Sequence, residues 1–423
     1  MVAALRPWGV KSKLIHLMIN NSHNSIKSIL NNIPYVKEFS GFAFGYFIAA
    51  FFSFLIISLV NKLLEPAEMG RYSYYKSIFE LLYAILSINI YSAYLRFNLN
   101  GENRKLTRLV LTIVLLATVL LAIIIGFTLK CIFCSLFSLI ILYNERMYYF
   151  RSLLEIRKLN WIRISPALIT LSIIYFTSFV YNNQLDATTI FLAYGIGYSF
   201  VLFFFKKNNY KIDDSQVSVK NILAYSIPSV GLIIVDWVLN LSSQILIKEY
   251  FSFAELSYYA VAQRLLLVVK LFSGLFLMFY PMLYFKEIKK KNHSFISKAR
   301  GLMLITIFLI IILFFVFSKY IYNLMGAGSY LSHQSIFKVL LFSEFFKVAS
   351  SIFGLFLSYK IQTYKNLIIL SIGSIINVIL LLLFLHQYGL MVAAYSNLIA
   401  NIIICILYYF HSYRLEIKYL KHE

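Results

Sequence analysis

Five basic residues lie inside long apolar segments of the sequence: Lys76, Arg264, Lys270, Lys338 and Lys347. A Lys or Arg at the centre of a membrane span costs about 2.5–3.5 kcal/mol on insertion scales, and such residues normally face a bundle interior or a water-filled cavity. An Arg can grip a phosphate through two parallel hydrogen bonds, whereas a Lys acts as a point charge. These cations therefore predict a site within the membrane.

The spacing of Arg264 and Lys270 favours them over the other three. Six residues along an α-helix turn through about 600°, which leaves the two side chains about 120° apart, so both can border one broad cavity but not one narrow stripe. Neither has a carboxylate within four residues on its own helix. Lys338 lies at the end of its segment, where a structural role is the simpler interpretation.

Two of these lysines have acidic neighbours on their own helix. Lys76 and Glu80 are four residues apart, and Glu344 and Lys347 are three apart, both spacings that permit an ion pair. For these lysines, pairing or snorkelling and a role in the cavity are equally open.

Asp236 belongs to a polar stripe in another apolar segment. Ser229, Asp236, Asn240 and Ser243 recur with the period of one helix face. Asp236 either neutralises Arg264 or Lys270 as a buried pair, or takes up H⁺ or Na⁺ during a transport cycle. Pairing is the favoured interpretation, because one acid alone does not define an ion site.

The composition identifies the elements that must position these residues. The chain has 423 residues, of which 61% are apolar, 18% aromatic and only 13% charged, and its mean hydropathy is +0.77. These values are typical of an all-α polytopic membrane protein. The net charge of +22 is dispersed over short connections, which excludes the continuous basic stripe of a nucleic-acid-binding protein.

Segments of the roughly 20 apolar residues that a helix needs to cross a bilayer number twelve. They are about 39–61, 73–95, 108–129, 131–150, 161–181, 187–205, 221–246, 256–284, 300–318, 335–359, 366–385 and 389–410. Twenty-nine of the 39 Lys and Arg residues fall in every second gap, with the basic helix ends included. Because basic short loops stay in the cytoplasm, this alternation predicts twelve spans with both termini cytoplasmic.

An offset of 187 residues relates Glu68–Tyr74, before the second span, to Glu255–Val261, before the eighth. Two halves of six spans share one orientation, so a site is expected between them near the midplane. The predicted organisation is a cytoplasmic amino-terminal segment (1–38), a first six-helix half (39–206), a cytoplasmic linker (207–220), a second half (221–410) and a cytoplasmic tail (411–423).

Metal, cofactor and catalytic motifs are not predicted. Cys131 and Cys134 have C-x-x-C spacing but no second pair, and the seven histidines are scattered over connections and ends, so apolar packing is the favoured role of the cysteines. The sequence contains no G-x-x-x-x-G-K-[ST] element for a nucleotide.

Four short motifs carry a family resemblance. Leu64–Tyr72 resembles the L-x-P-x-E-x-G-x-Y element of the polysaccharide flippases in the multidrug, oligosaccharidyl-lipid and polysaccharide (MOP) exporter superfamily. Ala224–Pro228 resembles the Y-x-x-P entry to their second half, Ser257–Ala262 their G-x-Y-x-x-A, and Gly389–Ala394 their G-x-x-G-A-A. Ser257 and Val392 replace usual glycines. The resemblance covers about residues 37–415.

The resemblance implies a flippase that moves a polyprenyl-pyrophosphate-linked oligosaccharide, an O-antigen or capsule repeat unit, across the cytoplasmic (inner) membrane by alternating access through a cationic cavity. The positions of the charged residues inside apolar segments, rather than the family motifs, predict substrate binding by Arg264, Lys270, Lys347 and Lys76, and coupling or charge pairing by Asp236, Glu344 and Glu80. The implied partners are the undecaprenyl-pyrophosphate-linked substrate and membrane lipid. H⁺ or Na⁺, a polysaccharide polymerase and a chain-length regulator are candidates beside them.

Two alternatives stay open. A cation-coupled multidrug exporter of the same superfamily would be expected to carry an acid in the first span for ion coupling, and residues 39–61 contain none. A membrane polysaccharide polymerase or glycosyltransferase would need a catalytic external loop, for which the outer gaps are too short. The sequence therefore favours a transporter over an enzyme.

Overall fold

The protein is almost entirely α-helical. A computed structural model describes residues 36–86, 139–152, 155–180, 185–204, 219–360 and 362–421, with 116, 119, 120 and 123 as single positions. The helices in these ranges are α1 (Val36–Leu63), α2 (Pro66–Leu86), α3 (Ile140–Ser152), α4 (Ile156–Val180), α5 (Ala187–Phe204), α6 (Val219–Tyr250), α7 (Phe253–Lys289), α8 (His293–Val316), α9 (Ser318–Leu324), α10 (Gln334–Phe353), α11 (Leu355–Tyr359), α12 (Thr363–Tyr388), α13 (Met391–Tyr408) and α14 (Arg414–Lys421). The prediction of an all-α polytopic membrane protein is confirmed.

Nine helical stretches in the described ranges are long and apolar enough to cross a membrane. They correspond to the predicted first span and to the fifth through the twelfth. The predicted second span overlaps α2, which begins seven residues earlier, at Pro66. The predicted third span, apart from four single positions, and the first part of the fourth lie outside the described residues. The count of twelve, the domain boundaries and the cytoplasmic termini stay predictions.

The last span continues into the predicted tail. After α13 the chain passes through a π-helical turn, Tyr409–Tyr413, and directly into α14. Glu416 of α14 is 2% exposed and forms an ion pair with Arg300 of α8, with Nη2 to Oε1 at 2.6 Å. Tyr284 of α7 donates a hydrogen bond to the same carboxylate at 2.9 Å. The tail is therefore a helix fixed to the ends of two spans.

The two predicted halves meet along α2. This helix packs against α7 and α6 of the second half and against α5 of the first. Within the first half α1 packs on α4, and α4 on α5; within the second, α13 packs on α10 and α12, and α12 on α6. Residues on α2, α6 and α7 are thus the ones positioned to act between the halves.

The element Leu64–Tyr72, which resembles the flippase motif, contacts both α5 and α7 where the two predicted halves meet. Glu68 Oε2 accepts a hydrogen bond from the backbone N–H of Ala187 at 3.0 Å, which satisfies one of the free N–H groups at the start of α5. A Cβ added to Gly70 would lie only 1.8 Å from the carbonyl oxygen of Phe253. Glycine is therefore needed where α2 meets the first residue of α7.

Polar side chains fasten the helices of the second half to one another. Asn397 of α13 and Asn377 of α12 both donate to the carbonyl of Leu239 on α6, at 2.8 and 3.3 Å. Ser343 of α10 donates to Asn397 Oδ1 at 2.6 Å. Inside a bilayer such interhelical hydrogen bonds help to hold helices together, because apolar burial gives little advantage over lipid.

Candidate functional site: a cationic cavity between the halves

A cavity lies where α2 meets α6 and α7. It has two lobes that share Ile57, Lys76, Glu80, Arg264 and Leu267. The amide lobe holds about 700 Å³ of open space and is completed by residues of α2, α6 and α7. The tyrosine lobe holds about 730 Å³ and is completed by residues of α1, α2, α3 and α5.

Arg264 stands on the wall common to both lobes. Its guanidinium donates to Ser73 Oγ at 2.7 Å, contacts Met69 Sδ, and lies 4.5 Å above the centre of the Tyr72 ring. All three partners are on α2 and all are neutral. Among the described residues Arg264 forms no ion pair, although the carboxylate of Glu80 lines the same two lobes.

Lys270 lies deeper on α7 and lines the amide lobe. It also has no ion pair in the described part of the chain. The carboxylate that acts most strongly on it is that of Glu344 on α10. Glu344 is 8% exposed and makes neither an ion pair nor a hydrogen bond to a described side chain. A nearly buried acid thus lies near a lysine that it does not directly neutralise.

Lys76 and Glu80 line both lobes, and they form the pair that their spacing permits. Lys76 Nζ lies 3.5 Å from Glu80 Oε1, and both side chains are about one-third exposed. Such a half-hydrated pair is weak, and it leaves both groups able to reach a ligand. Among the described lining residues, three cations face one carboxylate.

The partner predicted for Asp236 is wrong. Asp236 Oδ1 lies 3.2 Å from Lys347 Nζ, and it pairs with neither Arg264 nor Lys270. Asn240 joins the pair from both sides: its Nδ2 donates to Asp236 Oδ1 at 2.9 Å, and its Oδ1 accepts from Lys347 at 3.1 Å. Asp236 and Asn240 are one turn apart on α6, so together they surround the lysine ammonium of α10.

This pairing corrects one expectation for Lys347 and bears on a second, its role in substrate binding, which stays a prediction. The Glu344–Lys347 pair that the three-residue spacing permits does not form, because the ammonium is held by α6 instead. Lys347 lines neither lobe of the cavity. Lys347 thus links α10 to α6 through an ion pair and a hydrogen bond.

Several polar groups of the cavity were not singled out by the sequence. Gln263 of α7 donates to the carbonyl of Asn240 and accepts from Gln244 of α6, both at 2.7 Å. These amides line the amide lobe. Amide side chains inside apolar segments are unusual, and this feature of the sequence could have identified them. Tyr194 and Tyr198 of α5 line the tyrosine lobe.

Metal chemistry has no support in the described ranges. They contain no group of three or more His, Cys, Asp and Glu residues that could hold an ion.

The architecture resembles solved membrane transporters. It superposes on an inward-facing multidrug resistance MATE family transporter of the MOP superfamily with a TM-score of 0.65 at 12% identity, covering 89% of this chain and 96% of the other. The lipid II flippase MurJ, in an inward closed conformation, gives 0.63 at 17% identity, with 90% and 89% covered. The chain has the fold of a MOP-superfamily transporter.

Within that fold, likeness extends to multidrug transporters and lipid flippases equally. The MATE multidrug transporter DinF-BH, solved in complex with R6G, gives a TM-score of 0.64 at 14% identity and covers 90% of this chain and 96% of the other. No protein-family model and no curated protein matches the sequence. The structural likenesses, at 12–17% identity, establish the fold.

Proposed function

We propose that this protein is a flippase for a polyprenyl-pyrophosphate-linked oligosaccharide, an O-antigen or capsule repeat unit, in the cytoplasmic membrane. One observation carries the proposal: Arg264 and Lys270 face a cavity between the halves, without an ion pair among the described residues. A pyrophosphate with a bulky polar sugar cannot cross hydrocarbon unaided. A hydrated cationic cavity supplies what that headgroup needs, while the polyprenyl chain remains in lipid.

A multidrug exporter is the second candidate, supported by the likeness to MATE transporters. The charge of the cavity argues against cationic drugs, since such a compound would meet Arg264 and Lys270 with one carboxylate, Glu80, to offset them. The predicted first span, residues 39–61, contains no acid for ion coupling, and the one acid of α1, Glu38, precedes that span. The flippase therefore fits the side chains better than a drug exporter does.

The contacts of Arg264 suggest how substrate starts the transport cycle. Its guanidinium contacts Ser73 and Met69 of α2. Phosphate oxygens are stronger acceptors for a guanidinium than a hydroxyl or a thioether, so a bound diphosphate draws it away from α2. Because those contacts join the two halves, binding weakens the joint. A ligand shifts a conformational equilibrium only by such a difference in contacts between states.

The pairing pattern also narrows the choice of coupling acid. Asp236 is paired with Lys347, and Glu80 with Lys76. Glu344 is the remaining acid of the three and has no such partner in the described part of the chain. We assign ion coupling to Glu344, with H⁺ or Na⁺ as the coupling ion. The polymerase and the chain-length regulator are proposed partners that act on the exported product.

Deletion of the gene, followed by analysis of surface polysaccharide and lipid-linked intermediates, tests the proposal. Loss of surface glycan with accumulation of the lipid-linked oligosaccharide inside the cell is expected. The wild-type gene and a Lys338→Ala variant should both restore export, because Lys338 packs over Phe315 and lines neither lobe. Intact glycan with altered drug sensitivity would instead identify an exporter.

A further inference from the structure

The tyrosine lobe differs chemically from the amide lobe beside it. Tyr72, Tyr194 and Tyr198 contribute to its wall, whereas the amide lobe is lined by aliphatic, amide, hydroxyl and charged side chains. The rings of Tyr194 and Tyr198, one turn apart on α5, lie 6.0 Å apart at an angle of 27°. The ring of Tyr143 on α3 lies 5.1 Å from Tyr198, at 33°. The wall thus carries two similarly oriented rings of α5, one of which packs against Tyr143 of α3.

Hydrogen-bonding groups complete the tyrosine lobe. Tyr72 and Tyr194 both contribute phenol rings with a hydroxyl to its wall. Glu80, Lys76 and Ser53 contribute a carboxylate, an ammonium and a hydroxyl to the same wall. A pyranose ring has an apolar face of C–H groups and an edge of hydroxyls that donate and accept. Aromatic rings with an apolar body and a polar tip suit such a ligand, and the surrounding oxygens and ammonium match its edge.

The tyrosine lobe shares a wall with the amide lobe, which limits where the sugar of a bound substrate can lie. Arg264 and Lys76 belong to both lobes, so a diphosphate held on the common wall has its attached sugar at the entrance of one of them. We infer that the tyrosine lobe is a carbohydrate subsite, which receives the sugar nearest the diphosphate through its ring face. The inference rests on the proposed function, since it places the headgroup of that substrate.

Two lipids separate recognition of the sugar from recognition of the diphosphate. Purified full-length protein in lipid nanodiscs is titrated with undecaprenyl diphosphate and with the same lipid carrying one N-acetylhexosamine, and both dissociation constants are measured. The quantity of interest is the gain in affinity that the sugar provides. An aromatic contact of ordinary strength corresponds to about a 2- to 12-fold gain for each ring.

Matched variants of Tyr194 assign this gain to the ring face. Tyr194→Phe keeps the ring and should keep most of the gain, whereas Tyr194→Leu keeps only apolar bulk and should lose it, with the affinity for the sugar-free lipid unchanged within about twofold. Arg264→Ala should weaken both lipids equally. Tyr175→Ala, at a residue 69% exposed on α4, should change neither. Melting temperatures of all variants identify any that fails to fold.

The outcomes distinguish the inference from the proposed function. If the wild-type protein binds the sugar-free lipid but gains nothing from the sugar, the subsite is refuted and the flippase stands. Equal loss for both lipids in Tyr194→Leu also refutes the subsite. If the wild-type protein binds neither lipid, or if Arg264→Ala leaves both affinities unchanged, the proposed function itself fails.

Discussion

Replacing Arg264 tests most directly whether the cavity binds a diphosphate. Each hydrogen bond between a charged donor and its acceptor contributes about 1.5–3 kcal/mol. The guanidinium already donates to Ser73 Oγ, a bond of the same charged kind that it gives up on binding and that offsets about 1.5–3 kcal/mol. With two such bonds to the diphosphate, the net loss in Arg264→Ala is about 1.5–3 kcal/mol. We therefore expect the affinity for undecaprenyl diphosphate to fall by about 10-fold or more.

The fold should tolerate this change. Ser73 Oγ also donates to the carbonyl of Met69 at 2.9 Å, so removal of Arg264 leaves that buried hydroxyl bonded. The substitution removes a stacking contact with Tyr72 worth about 0.5–2 kcal/mol, but it also removes a charge without an ionic partner among the described residues. Membrane abundance and melting temperature should therefore stay close to wild type.

Two further variants make the result interpretable. Arg264→Lys keeps the charge but loses the planar fork, so its affinity should lie between those of the wild type and the Ala variant. Lys338→Ala removes a cation that lines neither lobe and should bind normally. Surface glycan, measured in cells with each variant, should follow the same order. Wild-type affinity and glycan export in both Arg264→Ala and Lys270→Ala would refute the cationic site.

Three other changes test separate parts of the structure. Glu344→Gln should make export insensitive to an imposed H⁺ or Na⁺ gradient in proteoliposomes, and an unchanged response would remove this acid from coupling. Glu416→Ala leaves the buried guanidinium of Arg300 unpaired and should destabilise the protein by about 3–5 kcal/mol, seen as a lower melting temperature; wild-type melting would show that α14 contributes little. Gly70→Ala places a methyl group against the first carbonyl of α7 and should sharply reduce folded protein in the membrane, whereas Gly301→Ala, with open space around it, should not.

The sequence was sufficient for the helical class and for most spans, because apolar length alone determines what crosses a bilayer. It also predicted that Arg264 and Lys270 border one cavity, since a charge within an apolar segment is expensive anywhere else. The start of α2 was missed. Residues 66–72 are too polar to count as part of a span. They are nevertheless helical, and they pack against α5 through the hydrogen bond of Glu68 and against α7 at Gly70.

Charge pairing was the least predictable feature, because the spacing rule for a helix surface applies only to residues three or four apart. That rule predicts the Lys76–Glu80 pair correctly. It cannot find Asp236, which meets a lysine 111 residues away. Arg300 was grouped with the loop cations that set orientation, although it is 5% exposed and its partner lies 116 residues further along the chain.

The residues that hold Arg264 belong to, or directly follow, the element that resembles the polysaccharide flippases. Met69 and Tyr72 lie within Leu64–Tyr72, and Ser73 is the next residue. The same element caps α5 through Glu68 and meets α7 at Gly70. One short segment therefore sets both the packing of the halves and the resting position of the proposed phosphate-binding arginine. A substrate that draws the guanidinium away from α2 removes contacts that join the two halves in this same segment. Substrate recognition and movement of the halves therefore depend on the same residues.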